Sequence, residues 1–217
     1  MNEFIQNEIR EIKKSFRLAM NGVVSTLQRR QGLDYKINFG VEIPRLKGIA
    51  AEHTKNEELA TTLWQDNIRE CRILAIYLMP EEGFCNVAEK WISESRFTEI
   101  ADQLAMHLLC KMSDATNKAL EWTRNSEEMF RYCGYQTISH LLRRGITLNE
   151  AQEKRLLESL ANLPGNGTGV TLKCAQNALM NYLDRTPDAV ERLRKTIGSW
   201  NNDAEPFITM LESFENY

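Results

Sequence analysis

Asp102 is the acid in this chain whose neighbours suit it best for chemistry. It follows Phe97 and Thr98 in a stretch whose apolar positions Phe97, Ile100, Ala101, Leu104 and Leu108 recur at helical spacing. At about 100° per residue, Asp102 falls beside that stripe and in line with Thr98, Ala105 and Leu109. A carboxylate on such a face is partly desolvated unless a groove or ligand covers it, and a desolvated acid in a groove is a candidate for electrostatic work. The plainer alternative is a helix-surface Asp hydrogen-bonded to Thr98 or to water.

A second constellation mixes cations and aromatics: Arg131, Tyr132 and Tyr135, followed by Arg143 and Arg144. That alternation suits a groove tracking a phosphate backbone. It suits equally a core Tyr135 with an arginine pair that complements a helix C-terminus. His53, His107 and His140 have no metal-ligand spacing, so no metal is expected, and the latter two sit in apolar helices where a hydrogen-bonded imidazole is the simpler reading. There is no G-x-S-x-G elbow. The glycines of Leu163-Pro164-Gly165-Asn166-Gly167-Thr168-Gly169 lack a following Lys-Ser/Thr pair and follow a helix rather than a strand, so they read as a connector, not a nucleotide loop.

These residues need elements to carry them, and the composition favours helices. The 217 residues include only 11 Gly and 5 Pro, with hydrophobic residues at 42% and charged residues at 26%, the balance of a globular domain. One domain over 1–217 is expected. Five cysteines without a C-x-x-C pair argue against a disulfide framework and for a reducing compartment. With no signal-peptide pattern and no apolar run of membrane-span length, the expected location is cytoplasmic. The net charge of −3 is unevenly spread: residues 1–50 carry nine Lys and Arg against five Asp and Glu, and residues 51–110 carry five against eleven. This is either a basic face on an acidic protein or scatter over solvated helix faces.

Ile5, Ile9, Ile12, Phe16 and Ala19 predict an amphipathic helix from Glu3 to Met20, stopped at Asn21-Gly22. A second short helix carries Arg29-Arg30 and ends at Gly32. Tyr35 to Pro44 reads as a connector, with Pro44 in the first turn of the next helix. Helices of roughly 10–18 residues then follow one another to Tyr182, within the ordinary range of helix lengths. Breaks fall near Asp66, at Met79-Pro80-Glu81-Glu82-Gly83, around Ser93 to Arg96, at Ser113-Asp114, near Asn125-Ser126 and around Gly145. Ser126, Asp114 and Asn149 are candidate N-caps. Later helices are expected from Val170 to Leu183, from Pro187 to Ile197 and around Phe207 to Phe214. An echo runs through the middle of the chain: Leu59-Ala60-x-x-Leu63-Trp64, Val87-Ala88-Glu89-Lys90-Trp91 and Ala119-Leu120-Glu121-Trp122, each followed by a second apolar helix. A solenoid of helical hairpins accounts for it, and an irregular α-bundle is the alternative.

Four stretches carry a family resemblance: Asn38-Phe39-Gly40-Val41-Glu42-Ile43-Pro44-Arg45-Leu46-Lys47-Gly48-Ile49-Ala50; Leu59 to Met79, with Glu70-Cys71-Arg72-Ile73-Leu74-Ala75; Asp102-Gln103-Leu104-Ala105-Met106; and Ala119 through Tyr135. With them the chain resembles the DNA alkylation repair family, DNA glycosylases of the AlkD type built from HEAT-like repeats. The resemblance implies an all-α fold, a curved right-handed superhelix of HEAT-like helical hairpins. It implies duplex DNA, damaged or alkylated, held in a concave basic groove, and excision of N3- and N7-alkylated purines. No cofactor, metal or membrane is implied, and a monomer is expected.

The family's catalytic acid falls on Asp102. Its paired Trp falls on Thr98, with Phe97 adjacent; its backbone-contacting Arg falls on Tyr132, with Arg131 adjacent; and its second Trp falls on Asn177. Phe97, Thr98, Tyr132 and Asn177 are thus the expected lesion-site lining, and Arg131, Arg143, Arg144 and Lys173 the expected DNA-backbone contacts. With one position of four matching, three outcomes stay open: excision through Asp102, DNA binding without excision, and a helical scaffold for protein partners.

Overall fold

A computed structural model describes residues 3–163, 169–198, 200 and 205–215. Two compact units emerge, Met1–Glu89 and Lys90–Tyr217. Among the described residues the secondary structure is helical, apart from one isolated bridge between Ile37 and Ile68.

The first unit begins with α1 (Glu3–Leu18), which buries Ile5, Ile12 and Phe16 as its periodicity requires. Asn21 ends the α1 connection and also starts α2 (Gly22–Arg30): its Oδ1 accepts from the amides of Val23 and Val24. Pro44 lies in the first turn of α3 (Ile43–Ala51), where its missing N–H costs nothing. Next come α4 (Glu57–Gln65) and α5 (Arg69–Leu78), which pack together, with α3 also on α5 and α1 on α4. The Pro80 break opens a single helical turn, α6 (Glu81–Phe84), rather than a plain loop.

The apolar core of this unit encloses one ion pair. Arg69 and Glu70 are both buried, and Arg69 Nη1 meets Glu70 Oε1 at 3.2 Å. Glu70 also accepts from the amides of Phe39 (3.1 Å) and Val41 (3.2 Å), while Arg69 donates to the Val41 carbonyl at 2.8 Å. The ion pair therefore satisfies an irregular backbone segment that has no regular secondary structure to do so.

In the second unit, after α7 (Ala88–Ser93) at its start, the helices form two layers. One layer is α9 (Ala115–Trp122), α11 (Glu150–Ala161) and α13 (Ala189–Ile197); the other is α8 (Thr98–His107), α10 (Glu128–Arg143) and α12 (Gly169–Arg185). Neighbours within each layer pack together, and α9 packs against α10 as a hairpin. A final helix, α14, spans Glu205–Glu215. Trp64, Trp91 and Trp122 are all buried, so the echo marks core positions. Gly134 lets α10 approach α9: a Cβ there would lie 2.7 Å from the Ala119 carbonyl oxygen and 2.8 Å from the Thr123 nitrogen.

Asn149 makes the expected cap, a reciprocal box with Gln152. Of the other two candidate caps, Ser126 is corrected and Asp114 keeps its position. At α10 the N-cap is Glu127, and Asn125 rather than Ser126 receives its amide, at 2.8 Å. Asp114 is the N-cap residue of α9 as expected, but its side chain makes no bond to the first-turn amides and its Oδ1 accepts from Asn117 Nδ2 at 2.7 Å. The connector read at Pro164 to Thr168 lies outside the described residues.

Candidate functional site

The α8–α10–α12 layer carries the site. Asp102 sits one turn after Thr98 on α8 and is half-buried, as its place beside the apolar stripe foretold. Two side chains of α10, one turn apart, reach it: the Tyr132 hydroxyl donates to Oδ1 at 2.8 Å and Gln136 Nε2 donates to the same oxygen at 2.7 Å. Gln136 Nε2 also lies 3.2 Å from the Tyr132 oxygen. Both donors converge on Oδ1, and among the described residues nothing donates to Oδ2.

Burial raises the Asp102 carboxyl above the usual range, and the two hydrogen bonds oppose that rise; Glu99 adds to it. Burial and the bond to Asp102 push the Tyr132 phenol far above its ordinary value, so it remains a neutral donor. Burial pushes the Cys174 thiol of α12 up to about 12, against an opposing effect of Tyr132, and it stays protonated. Burial raises Cys133 as well. The carboxylate is therefore held by neutral groups alone, with its charge uncompensated. One turn beyond Gln136, His140 is lowered by burial and then by Arg143 and Arg144, which favours the neutral imidazole.

The remaining expected residues are distributed as follows. Phe97 is the half-buried N-cap of α8, with the Arg96 guanidinium 5.7 Å from its ring centroid, and Thr98 is exposed. Asn177 and Lys173 are exposed one turn apart on α12. Arg131 lies on another face of α10 from Tyr132: Nη1 donates to the carbonyls of Asn125 (2.8 Å) and Ser126 (2.6 Å), bracing the α9–α10 connection. Arg143 is exposed. Arg144 donates to the Met106 carbonyl at 3.1 Å, and so complements the C-terminal turn of α8. Tyr135 is a core residue, its hydroxyl 3.4 Å from Ser159 Oγ.

Sequence reading missed Gln136. The available signal was its spacing of four from Tyr132, which puts both side chains on one face of a helix. Among the described residues no cluster of His, Cys, Asp and Glu could hold a metal ion, and no helix is long and apolar enough to cross a membrane.

This two-layer helical array with a half-buried acid on one layer is a helical-repeat architecture. Residues 6–201 match the family described as DNA alkylation repair enzyme, and the chain belongs to that family. It is also similar in structure to a protein described as one of "a new family of proteins related to the HEAT-like repeat DNA glycosylases with affinity for branched DNA structures". That similarity has a TM-score of 0.73 at 19% identity, covering 84% of this chain and 80% of the other. The fold is thus all-α and HEAT-like. A comparison with curated proteins finds no match.

Proposed function

We propose that this chain binds duplex DNA and excises N3- and N7-alkylated purines, with Asp102 as the catalytic carboxylate. The observation that carries the reading is the half-buried Asp102 carboxylate with Oδ1 fixed by two neutral donors. Membership of a family described as DNA alkylation repair enzyme supports that choice of substrate. An alkylated purine is cationic and already a good leaving group, so the glycosidic bond breaks with its electron pair going to the base, and positive charge develops on the sugar. An uncompensated carboxylate stabilises that charge. Water then adds to C1′, its proton passing to Asp102 or to solvent. Arg143 and Lys173, exposed and without an ion pair among the described residues, are the proposed phosphate contacts.

A second reading, DNA binding without excision, is favoured by one specific observation: Thr98 and Asn177 are both exposed and neither is aromatic, so no ring at those positions stacks on a cationic base. The description of the structural neighbour, affinity for branched DNA structures, accords with it. Release of free 3-methyladenine and 7-methylguanine from methylated duplex DNA, by the protein and by its Asp102→Asn variant, separates the two. Release lost in the variant supports excision; salt-sensitive binding without release supports the second reading.

A further inference from the structure

One helix of the first unit is turned inside out. An amphipathic surface helix ordinarily buries its apolar face, yet α2 buries no residue. Beside the half-buried Val24 its inward face makes polar contacts: Ser25 Oγ donates to the Asn38 carbonyl at 2.8 Å, and Gln28 Oε1 accepts from Asn38 Nδ2 at 2.9 Å. The Asn21 amide donates to the Phe39 carbonyl at 2.9 Å. Gly40, at φ +70°, fits so closely under this start that a Cβ would lie 2.2 Å from the Asn21 oxygen. Those contacts fix α2 firmly and leave Val23 (81% exposed) and Leu27 (54% exposed), one turn apart, facing outward. Leu18 and Met20 are exposed in the connection just before them, at 79% and 62%.

The sequence that carries this apolar face is basic, although Lys13 pairs with Asp66 and Lys14 with Glu11. From Ile12 to Leu33 the sequence holds five Lys and Arg and no Asp or Glu. Of these, Arg17, Arg29 and Arg30 are exposed and make no ion pair among the described residues. Aliphatic side chains gain nothing against phosphate. They gain against the faces and sugar edges of bases whose stacking is broken, where apolar wedges flanked by Arg and Lys act in DNA-bending proteins.

We infer that α2 is a DNA-docking element: Val23 and Leu27 pack against an interrupted base step while Arg29 and Arg30 hold the flanking phosphates. The inference rests on the DNA-binding reading above and assigns a contact separate from the Asp102 site. It is tested on the full chain by fluorescence anisotropy with a continuous duplex and with the same duplex carrying a one-nucleotide gap. The unmodified protein favours the gapped duplex. The Val23→Ser/Leu27→Ser variant loses that preference, by about tenfold in affinity, with its salt dependence unchanged. The Arg29→Ala/Arg30→Ala variant weakens binding to both duplexes and flattens the slope of log K against log salt by about 2.

Equal binding of the gapped duplex by the serine variant and the unmodified protein, with helical content intact, overturns the inference and leaves the DNA-binding reading standing. Binding to anionic phospholipid vesicles that the serine variant abolishes, with DNA binding untouched, also overturns it and makes α2 a membrane element. Failure of the unmodified protein to bind any DNA overturns both the inference and the DNA-binding reading.

Discussion

The Tyr132 hydroxyl donates to Asp102 Oδ1 at 2.8 Å, across from α10 to α8. This bond joins Asp102 to a position where the family resemblance leads one to expect a guanidinium and the chain carries a phenol. A guanidinium would neutralise the carboxylate; a phenol orients it and leaves its charge available.

Removing the donors should therefore raise the Asp102 carboxyl further. Its value is already raised by burial, and the bonds from Tyr132 and Gln136 are what oppose that rise. In Tyr132→Phe and Gln136→Leu, carboxyl-carbon NMR titration is expected to show Asp102 protonating at higher pH than in the unmodified protein. An unchanged titration would mean that these bonds do not act on the carboxylate in solution.

The same raised value links to stability with a definite sign. A carboxyl whose folded pKa lies above its unfolded one binds more protons folded, so its contribution is present below the unfolded pKa and lost as pH rises through the folded one. At neutral pH the ionised Asp102 costs stability, and Asp102→Asn should raise Tm by about 2–4 °C for each kcal/mol relieved. Below the unfolded value the two proteins should melt together. A variant that melts lower at neutral pH contradicts this.

Breaking the buried pair in the first unit should cost far more. Glu70→Ala leaves Arg69 charged and buried and the Phe39 and Val41 amides unanswered, for a loss of about 3–5 kcal/mol in urea denaturation. A loss under about 1 kcal/mol would mean that water replaces the carboxylate.

Two glycines should respond in opposite directions. Gly48 lies inside α3 with open space around it, so Gly48→Ala stabilises by about 0.5–1 kcal/mol. Gly134→Ala drives a methyl against backbone atoms of α9 and destabilises by about 1–3 kcal/mol. Equal shifts in the denaturation midpoint would refute the close α9–α10 approach.

The helical architecture was legible because burial follows periodicity: Ile5, Ile12 and Phe16 on α1, and Trp64, Trp91 and Trp122 at repeat positions, all go inward. Asp102 could be picked out for the same reason, since its angle to the stripe on α8 is a local property. Its partners are not local. Tyr132 and Gln136 lie 30 and 34 residues away, and only the α8–α10 packing brings them in. Arg131 and Tyr132 are neighbours in sequence, but adjacent helical residues diverge, and Arg131 turns to loop carbonyls instead. At α10 the N-cap falls on Glu127 and the Asn125 side chain takes its amide, a result of one turn's geometry that a residue preference does not specify. The outward apolar face of α2 was invisible to pattern, because the pattern assumes the apolar side is the buried one.

The central claim, that Asp102 drives excision, is tested most directly by single-turnover release of 7-methylguanine from methylated duplex DNA, comparing the unmodified protein with Asp102→Asn at matched DNA binding. The account predicts release by the unmodified protein and a loss of at least about a hundredfold in the variant, with DNA affinity equal or higher. Equal release by both proteins, or none from either while DNA remains bound, would contradict it.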